Sequence, residues 1–152
     1  MPETSSRIEI FAPPGIVYAT LWDAGRYPEF LTDVIDAQAH ASSSAAMQTV
    51  RLVTRLVREI EITLSLQGEA PSLVTWRLVD GGDWLERFDV EWWIEGAADG
   101  RSVMVAMQLD IEFCAAVPEA VVQRLFDFSV PTMLRQIRAR AELTARRVEA
   151  MV

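Results

Sequence analysis

The sequence EIEITLSLQ occupies residues 59–67 and alternates strictly between polar and apolar side chains. The apolar positions are Ile60, Ile62, Leu64 and Leu66. A period of two is the side-chain period of a β-strand, whose successive residues point to opposite faces of a sheet. Because only one of the two faces is apolar, this segment predicts a strand in a sheet that is buried on one side and faces water on the other.

Five further segments share this alternation and predict neighbouring strands. They are Ile35–Ala41, Met47–Val57, Leu73–Val79, Leu85–Glu95 and Val103–Phe113. Short turn signals separate the strands, among them Ser42-Ser43-Ser44, the stretch from Gly68 to Pro71, and Gly81-Gly82. Since strands joined by short turns pair with their neighbours in opposite directions, we expect an antiparallel meander.

The N-terminal region predicts one more strand and two short helices. Ser5–Ala12 contains an alternating pattern and ends at Pro13-Pro14. Proline is tolerated in the first turn of a helix, so the apolar residues from 16 to 21 are expected on a helix that ends at Gly25. Residues 26–31 then predict a short helical turn before the chain enters the sheet.

The C-terminal region, Pro118–Met151, carries apolar residues at the three- and four-residue spacing of a helix. Pro131 interrupts this pattern and is expected to kink or split the helix. No other long element is left to cover the apolar face of the sheet. The whole pattern therefore predicts an α+β fold, in which a curved antiparallel sheet of about seven strands wraps around one long C-terminal helix.

Length and composition predict a single domain over residues 1–152. Of these residues, 51% are hydrophobic and 24% are charged, which is a globular composition. No uncharged apolar stretch approaches the roughly 20 residues of a membrane-spanning helix. Residues 1–7 are polar and show no secretory signal. Together these features predict a cytoplasmic protein without a membrane span.

The charge balance argues against nucleic acid as the main partner. The sequence has 22 acidic and 14 basic residues, a net charge of −8, and every basic residue is arginine. Phosphate backbones bind at a concentrated basic face, which an acidic protein lacks. The C-terminal arginines, such as Arg138 and Arg146, fit either the solvated face of a helix or a surface that docks on a ribosome or membrane.

Few residues suit catalysis or metal binding. His40 is the only histidine and Cys114 the only cysteine, so neither a multi-histidine metal site nor a disulfide within the chain can form. We interpret His40 as a surface histidine and Cys114 as a buried, unreactive thiol. Asp110 and Glu112 share the charged face of a strand and are interpreted as solvated. We therefore predict no metal and no cofactor, and assign no catalytic residue.

The predicted fold favours an internal cavity. A long helix cannot contact a curved sheet along its full length, which leaves a concave space lined by alternate strand residues. Apolar concavities of this kind are typical of ligand pockets, and the alternative is that the same residues close into a dry core. The predicted ligand-binding residues are Ile60, Ile62, Leu64, Leu66, Trp76, Phe88, Trp92, Met107 and Leu109 on the strands and Met133 on the helix.

Several local strings point to a known family. They are residues 8–13, Val17-Tyr18, residues 26–31, residues 78–81, Trp92 with Ile94, and Arg140-Ala141. In these strings the chain resembles the START-like helix-grip superfamily, also called SRPBCC or polyketide cyclase/dehydrase-like. The nearest similarity is to its bacterial branch of ubiquinone-binding START proteins and ribosome-association toxin proteins. The resemblance covers nearly the whole chain and implies a helix-grip fold with an internal cavity for a lipid, quinone or polyketide.

The resemblance leaves catalysis open. In the polyketide aromatase/cyclases of this superfamily, an arginine on the inner face of a strand and a nearby tyrosine are thought to activate the substrate. In this sequence Leu66 and Val34 stand at the matching positions, which favours a binding protein over an enzyme. Other candidates could face the cavity if the strand register were shifted by one residue, and they are Arg51, Arg55, Arg77 and Tyr27.

Three functions therefore remain as alternatives. The first is a carrier or sensor that binds a hydrophobic small molecule such as a lipid. The second is a polyketide aromatase/cyclase or dehydratase. The third is an interaction module that docks on a ribosome or membrane. The sequence leaves the ligand and the oligomeric state open, and a homodimer is one arrangement that it allows.

Overall fold

The computed structural model describes residues 3–42, 44–56, 58–114 and 116–151. Among these residues, seven strands form an antiparallel sheet in the order β1-β7-β6-β5-β4-β3-β2. The strands are β1 Glu3–Ile10, β2 Val34–Ala41, β3 Met47–Arg55, β4 Glu59–Glu69, β5 Leu73–Asp80, β6 Leu85–Gly96 and β7 Val103–Phe113. Strands β2 to β7 form the predicted meander, and β1 pairs with β7 at the far edge.

The helices lie at the two ends of the chain. Helix α1, Pro14–Trp22, and a 3-10 helix, Ala24–Glu29, separate β1 from β2. The C-terminal region comprises α2 Glu119–Arg124, a π-helical segment Leu125–Ser129 and α3 Val130–Ala150. Helical backbone runs without a break from Glu119 to Ala150, so Pro131 does not split the long helix. The irregularity lies in the π-helical segment directly before Pro131, which has no N–H to donate. The predicted α+β fold is confirmed.

One face of the sheet and one face of α3 form the hydrophobic core. The buried residues of α3 recur at three- and four-residue spacing: Val130, Leu134, Ile137, Ala141 and Ala145. Inner-face residues of the central strands, such as Leu64, Trp92 and Val105, are buried as the alternation predicts. No described helix is long and apolar enough to cross a membrane.

Polar ties hold the later part of α3 to the rest of the chain. The Gln136 amide donates to the Thr32 hydroxyl over 2.8 Å, and Arg140 donates to the Glu29 carboxylate over 2.7 Å. The Glu142 carboxylate accepts a 2.9 Å hydrogen bond from a backbone N–H beyond β1. These ties fix α3 to the 3-10 helix, to the loop that follows it and to the end of β1.

Several predicted boundaries differ from the structure: the first strand, predicted over Ser5–Ala12, covers Glu3–Ile10, and two other differences have a clear physical reason. Gly25, the predicted end of the first helix, lies inside the 3-10 helix, because the chain bends earlier, at residue 23. Gly68, a predicted strand breaker, lies inside β4, where the Tyr18 hydroxyl occupies the space of a side chain. Ser43 of the predicted turn and Val57, the predicted end of a strand, lie outside the described residues.

Candidate functional site

A pocket with a volume of about 80 Å³ lies between the inner face of the sheet and the N-terminal half of α3. The 3-10 helix and the start of β2 close one side, and the π-helical segment closes another. Its walls are mostly apolar. The lining residues are Tyr27, Leu31, Asp33, Val34, Leu52, Thr54, Leu56, Ile62, Trp76, Phe88, Val90, Met107, Leu109, Leu125, Ser129, Val130, Met133 and Gln136.

The structure brings six of the ten predicted ligand-binding residues together on the pocket wall. They are Ile62, Trp76, Phe88, Met107, Leu109 and Met133. The other four are buried but lie outside the lining: Ile60, Leu64, Leu66 and Trp92. Alternation fixes the face on which a strand residue lies but not its position along the strand. All ten remain a prediction as ligand contacts.

Helix α1 explains why part of the inner face is closed. It contacts β5 and β6 and also packs against α3, so it fills the space over one end of the sheet. Trp92 lies in this closed region, and its ring centroid is 5.4 Å from that of Trp76. The pocket is thus confined to the end of the sheet that α1 does not cover.

Several lining residues had no signal in the strand alternation. Tyr27, Leu31 and Asp33 come from the 3-10 helix and the loop after it, and Gln136 comes from α3. Leu52 and Val90, by contrast, lie on inner faces of β3 and β6, so the same alternation could have included them. Residues from loops join a pocket only through the tertiary fold, which strand periodicity does not encode.

Aromatic side chains form one end of the pocket. The ring centroid of Trp76 lies 5.6 Å from that of Tyr27 and 6.4 Å from that of Phe88. The Tyr27 hydroxyl donates a hydrogen bond to the backbone carbonyl of Leu21. Burial raises the pKa of Tyr27 well above its ordinary value, the adjacent Trp76 indole offsets part of the rise, and the charge of Asp23 adds to it. Tyr27 is therefore a neutral wall residue at physiological pH.

The remaining polar groups on the wall are mostly engaged with the protein. The Thr54 hydroxyl donates to the backbone carbonyl of Asp33 over 2.9 Å. The Gln136 side chain donates to the Thr32 hydroxyl and accepts from the Thr32 N–H over 3.3 Å. These bonds hold the loop before β2 to β3 and to α3 beside the pocket.

The other candidate residues lie away from the pocket. His40 is exposed on the edge strand β2. The prediction that Cys114 is buried is wrong, because the chain leaves the sheet at residue 113 and exposes the thiol. Asp110 and Glu112 lie 3.4 and 3.9 Å from the Arg87 guanidinium in an ion-pair cluster. Within the described residues no group of three or more His, Cys, Asp or Glu side chains could hold a metal ion.

The strand arginines also lie outside the pocket. Arg51 is within 3.2 Å of the Glu61 carboxylate, and Arg77 is within 3.4 Å of Glu91. Both of these side chains and Arg55 are exposed, so the strand register is not shifted. At the positions where the family resemblance expects an arginine and a tyrosine, Leu66 is buried outside the lining and Val34 lies on the wall.

The described part of the pocket wall carries few side chains that could take part in acid–base chemistry. Enol-forming cyclisation needs one group that polarises a carbonyl and another that moves a proton. Asp33 is the one formally charged side chain among the lining residues that the structure describes. The arrangement can surround an apolar molecule and orient it through a small number of polar atoms.

A curved antiparallel sheet that holds a long C-terminal helix over an apolar pocket is the helix-grip architecture of START-like proteins. The chain belongs to the polyketide cyclase/dehydrase and lipid transport family, whose profile matches residues 10–138. The family predicted from the sequence is thereby confirmed. The nearer similarity to the ubiquinone-binding branch stays a prediction.

Solved structures share this fold. A START superfamily protein from Mycobacterium smegmatis has a TM-score of 0.82 at 16% identity, covering 93% of this chain and 98% of its own. An aromatase/cyclase from Streptomyces sp. R1128 has a TM-score of 0.80 at 15% identity, covering 93% of each chain. A STAR-related lipid transfer protein from Xanthomonas axonopodis has a TM-score of 0.73 at 15% identity, covering 91% of this chain and 85% of its own. At these identities the similarity shows the fold alone.

Comparison with curated proteins finds no match.

Proposed function

We propose that the protein binds a hydrophobic small molecule in the pocket between its sheet and α3, as a carrier or sensor. The observation that carries the proposal is the composition of the wall, in which aliphatic and aromatic side chains from six strands and three helical elements converge on one space. Family membership and the lipid transfer protein among the structural neighbours support the same ligand class.

Burial of apolar surface supplies the affinity. A one-ring ligand removes about 200 Å² of apolar surface from water, as an aromatic side chain does. At about 25 cal/mol per Å², this burial contributes about 5 kcal/mol before the entropy of association is subtracted. A one-ring ligand is therefore expected to bind no more tightly than about the millimolar range, and a larger ligand more tightly.

The volume of the pocket restricts what enters without rearrangement. At about 80 Å³, the pocket exceeds the roughly 10–15 Å³ that one water needs. It is smaller than the roughly 300–1,000 Å³ of sites for drug-sized ligands. A single-ring molecule needs only small shifts of flexible wall residues such as Met133, whereas a lipid or quinone requires α3 to move away from the sheet.

Native mass spectrometry tests the proposal directly. The protein is purified from the organism that encodes it and sprayed under non-denaturing conditions. We expect an adduct whose mass matches a hydrophobic small molecule and which disappears after extraction with organic solvent. A homogeneous ligand-free mass, together with no binding of any apolar probe to the purified protein, would contradict the proposal.

A matched pair of substitutions on β2 tests the location of the site. Val34 lines the pocket, whereas the next residue, Ile35, is exposed and outside the lining. Val34→Phe adds a ring to the pocket and is expected to lower the affinity for the co-purified ligand, or for acetophenone, at least tenfold. Ile35→Phe introduces the same aromatic ring outside the lining and should leave affinity unchanged. Equal affinity of the two variants, with urea denaturation showing both folded, would place the site elsewhere.

A further inference from the structure

We propose that the ligand is a neutral molecule with a hydrogen-bond acceptor oxygen, such as a ketone, and that this oxygen accepts a hydrogen bond from the indole N–H of Trp76. This proposal rests on the proposed function and specifies the ligand class of the same pocket. It assigns to Trp76 the role of orienting the ligand, beyond its contribution to the apolar wall.

The first observation is an unpaired donor on the pocket wall. Trp76 is only 3% exposed, and its Nε1 atom has no hydrogen-bond partner among the described residues. The Tyr27 hydroxyl is close enough to Trp76 for the indole to lower its pKa slightly, yet the two do not meet hydrogen-bond geometry. Buried N–H groups are nearly always paired because an unpaired one is costly. Nε1 has almost no accessible surface, so an acceptor reaches it only with the small shifts of the wall that admit a ligand, and the hydrogen bond then removes that cost.

The second observation is that the other polar side chains deep in the pocket are already paired. The hydroxyls of Tyr27 and Thr54 each donate to a backbone carbonyl. The amide of Gln136 is bonded to Thr32. Ser129 also lines the pocket but is only half-buried, so the Trp76 N–H is the fully buried donor that these contacts leave available, and a donor recognises an acceptor.

The third observation concerns charge. The formally charged side chain among the described lining residues is Asp33, which is acidic, and the lining includes no arginine. A carboxylate ligand would lose its hydration in an apolar pocket and face a charge of its own sign. The wall therefore favours a neutral oxygen over an anionic one, which separates ketones, quinones and esters from free fatty acids.

Three probes of similar shape test the proposal. Acetophenone carries a neutral carbonyl, cumene replaces that oxygen with a methyl group, and benzoate replaces the methyl group with a second, charged oxygen. Each is titrated into the ¹⁵N-labelled protein, and NMR follows the indole N–H signals of the five tryptophans. The Trp76 signal is identified by its loss in Trp76→Phe, which keeps an aromatic ring but removes the donor.

We expect acetophenone to shift the Trp76 indole proton downfield, as a new hydrogen bond does, and cumene to leave it without such a shift. Trp76→Phe should lower the affinity for acetophenone about fivefold more than the affinity for cumene, because one net hydrogen bond contributes about that factor. Trp92→Phe is the matched control, because its Nε1 is also buried and unpaired but Trp92 lies outside the lining. That variant should affect both probes equally. Benzoate should bind at least tenfold more weakly than acetophenone.

The outcomes separate this inference from the function on which it rests. If acetophenone and cumene both bind but Trp76→Phe weakens them equally, the hydrogen bond is refuted while the pocket stands. If benzoate binds as well as acetophenone, the preference for neutral ligands is refuted. If none of the probes binds and native mass spectrometry finds no co-purified ligand, the proposed function itself fails. The indole shift is measured in the wild-type protein, and if Trp76→Phe does not fold, single Trp→Phe substitutions of the other four tryptophans assign the Trp76 signal by elimination.

Discussion

Raising the pH above 10 should destabilise this protein through a single buried side chain. Tyr27 is 1% exposed, and burial holds the pKa of its phenol far above the value of 10.0 that it has when unfolded. Between those two pKa values the unfolded chain releases a proton that the folded chain retains. The stabilisation is therefore complete below pH 10 and is lost as the pH rises further.

The expected magnitude follows from that linkage. With an unfolded pKa of 10.0 and a native group that stays protonated, the free energy of unfolding falls by about 1.4 kcal/mol at pH 11 and about 2 kcal/mol at pH 11.5. Few other side chains titrate in this pH range, because the sequence contains no lysine and only one other tyrosine, Tyr18. Arginine keeps its proton throughout this range.

Urea denaturation at pH 9, 10, 11 and 11.5 measures the effect. All variants carry Cys114→Ser so that the thiol does not titrate in the same range. The control is Tyr18→Phe, which should retain most of the pH dependence. Burial also raises the pKa of Tyr18, but that side chain is only half-buried, so its contribution to the pH dependence is smaller. Tyr27→Phe should remove most of it. An equally steep decline in Tyr27→Phe would refute the assignment of this linkage to Tyr27.

Two further predictions test local features. An added Cβ at Gly81 would overlap the backbone of Leu85, so Gly81→Ala should lower the free energy of unfolding by about 1–3 kcal/mol. The control is Gly15→Ala, where the added Cβ meets no atom within 4 Å; it should leave the free energy of unfolding unchanged or raise it by up to about 1 kcal/mol. Equal urea midpoints for the two variants would contradict this contrast. Cys114 is exposed, so Ellman's reagent should modify it fully in the folded protein. The reaction at pH 7.5 should be slower than that of free cysteine, because reduced hydration and nearby carboxylates raise the pKa of the thiol; protection until the protein unfolds would show a buried thiol instead.

The strands were predictable because a one-residue slip moves every side chain to the other face of the sheet. Alternation therefore identified the inner positions, such as Ile62, Trp76 and Met107, from the sequence alone. It could not show which stretch of each strand faces free space. That depends on where α1 packs, and on loop residues such as Tyr27, which reach the pocket only in the folded chain.

The same limit explains the wrong details. Glycine favours turns, but in the fold the Tyr18 hydroxyl occupies the space that a side chain at Gly68 would need, and β4 continues through this position. Cys114 follows an apolar strand, yet the sheet ends one residue earlier. In both cases a contact or an end set by tertiary structure overrides the local pattern.

The polar contacts that anchor α3 are unevenly distributed, and this bears on how a ligand would enter and leave the pocket. Among the described residues, its long-range polar ties involve Gln136, Arg140 and Glu142, whereas α2 buries none of its side chains. We expect α2 and the π-helical segment, which closes one side of the pocket, to move outward while the anchored part of α3 keeps its partners. For a small ligand, entry and release then require only this local opening, so the rate of exchange can be tuned by residues 119–129 without weakening the sheet.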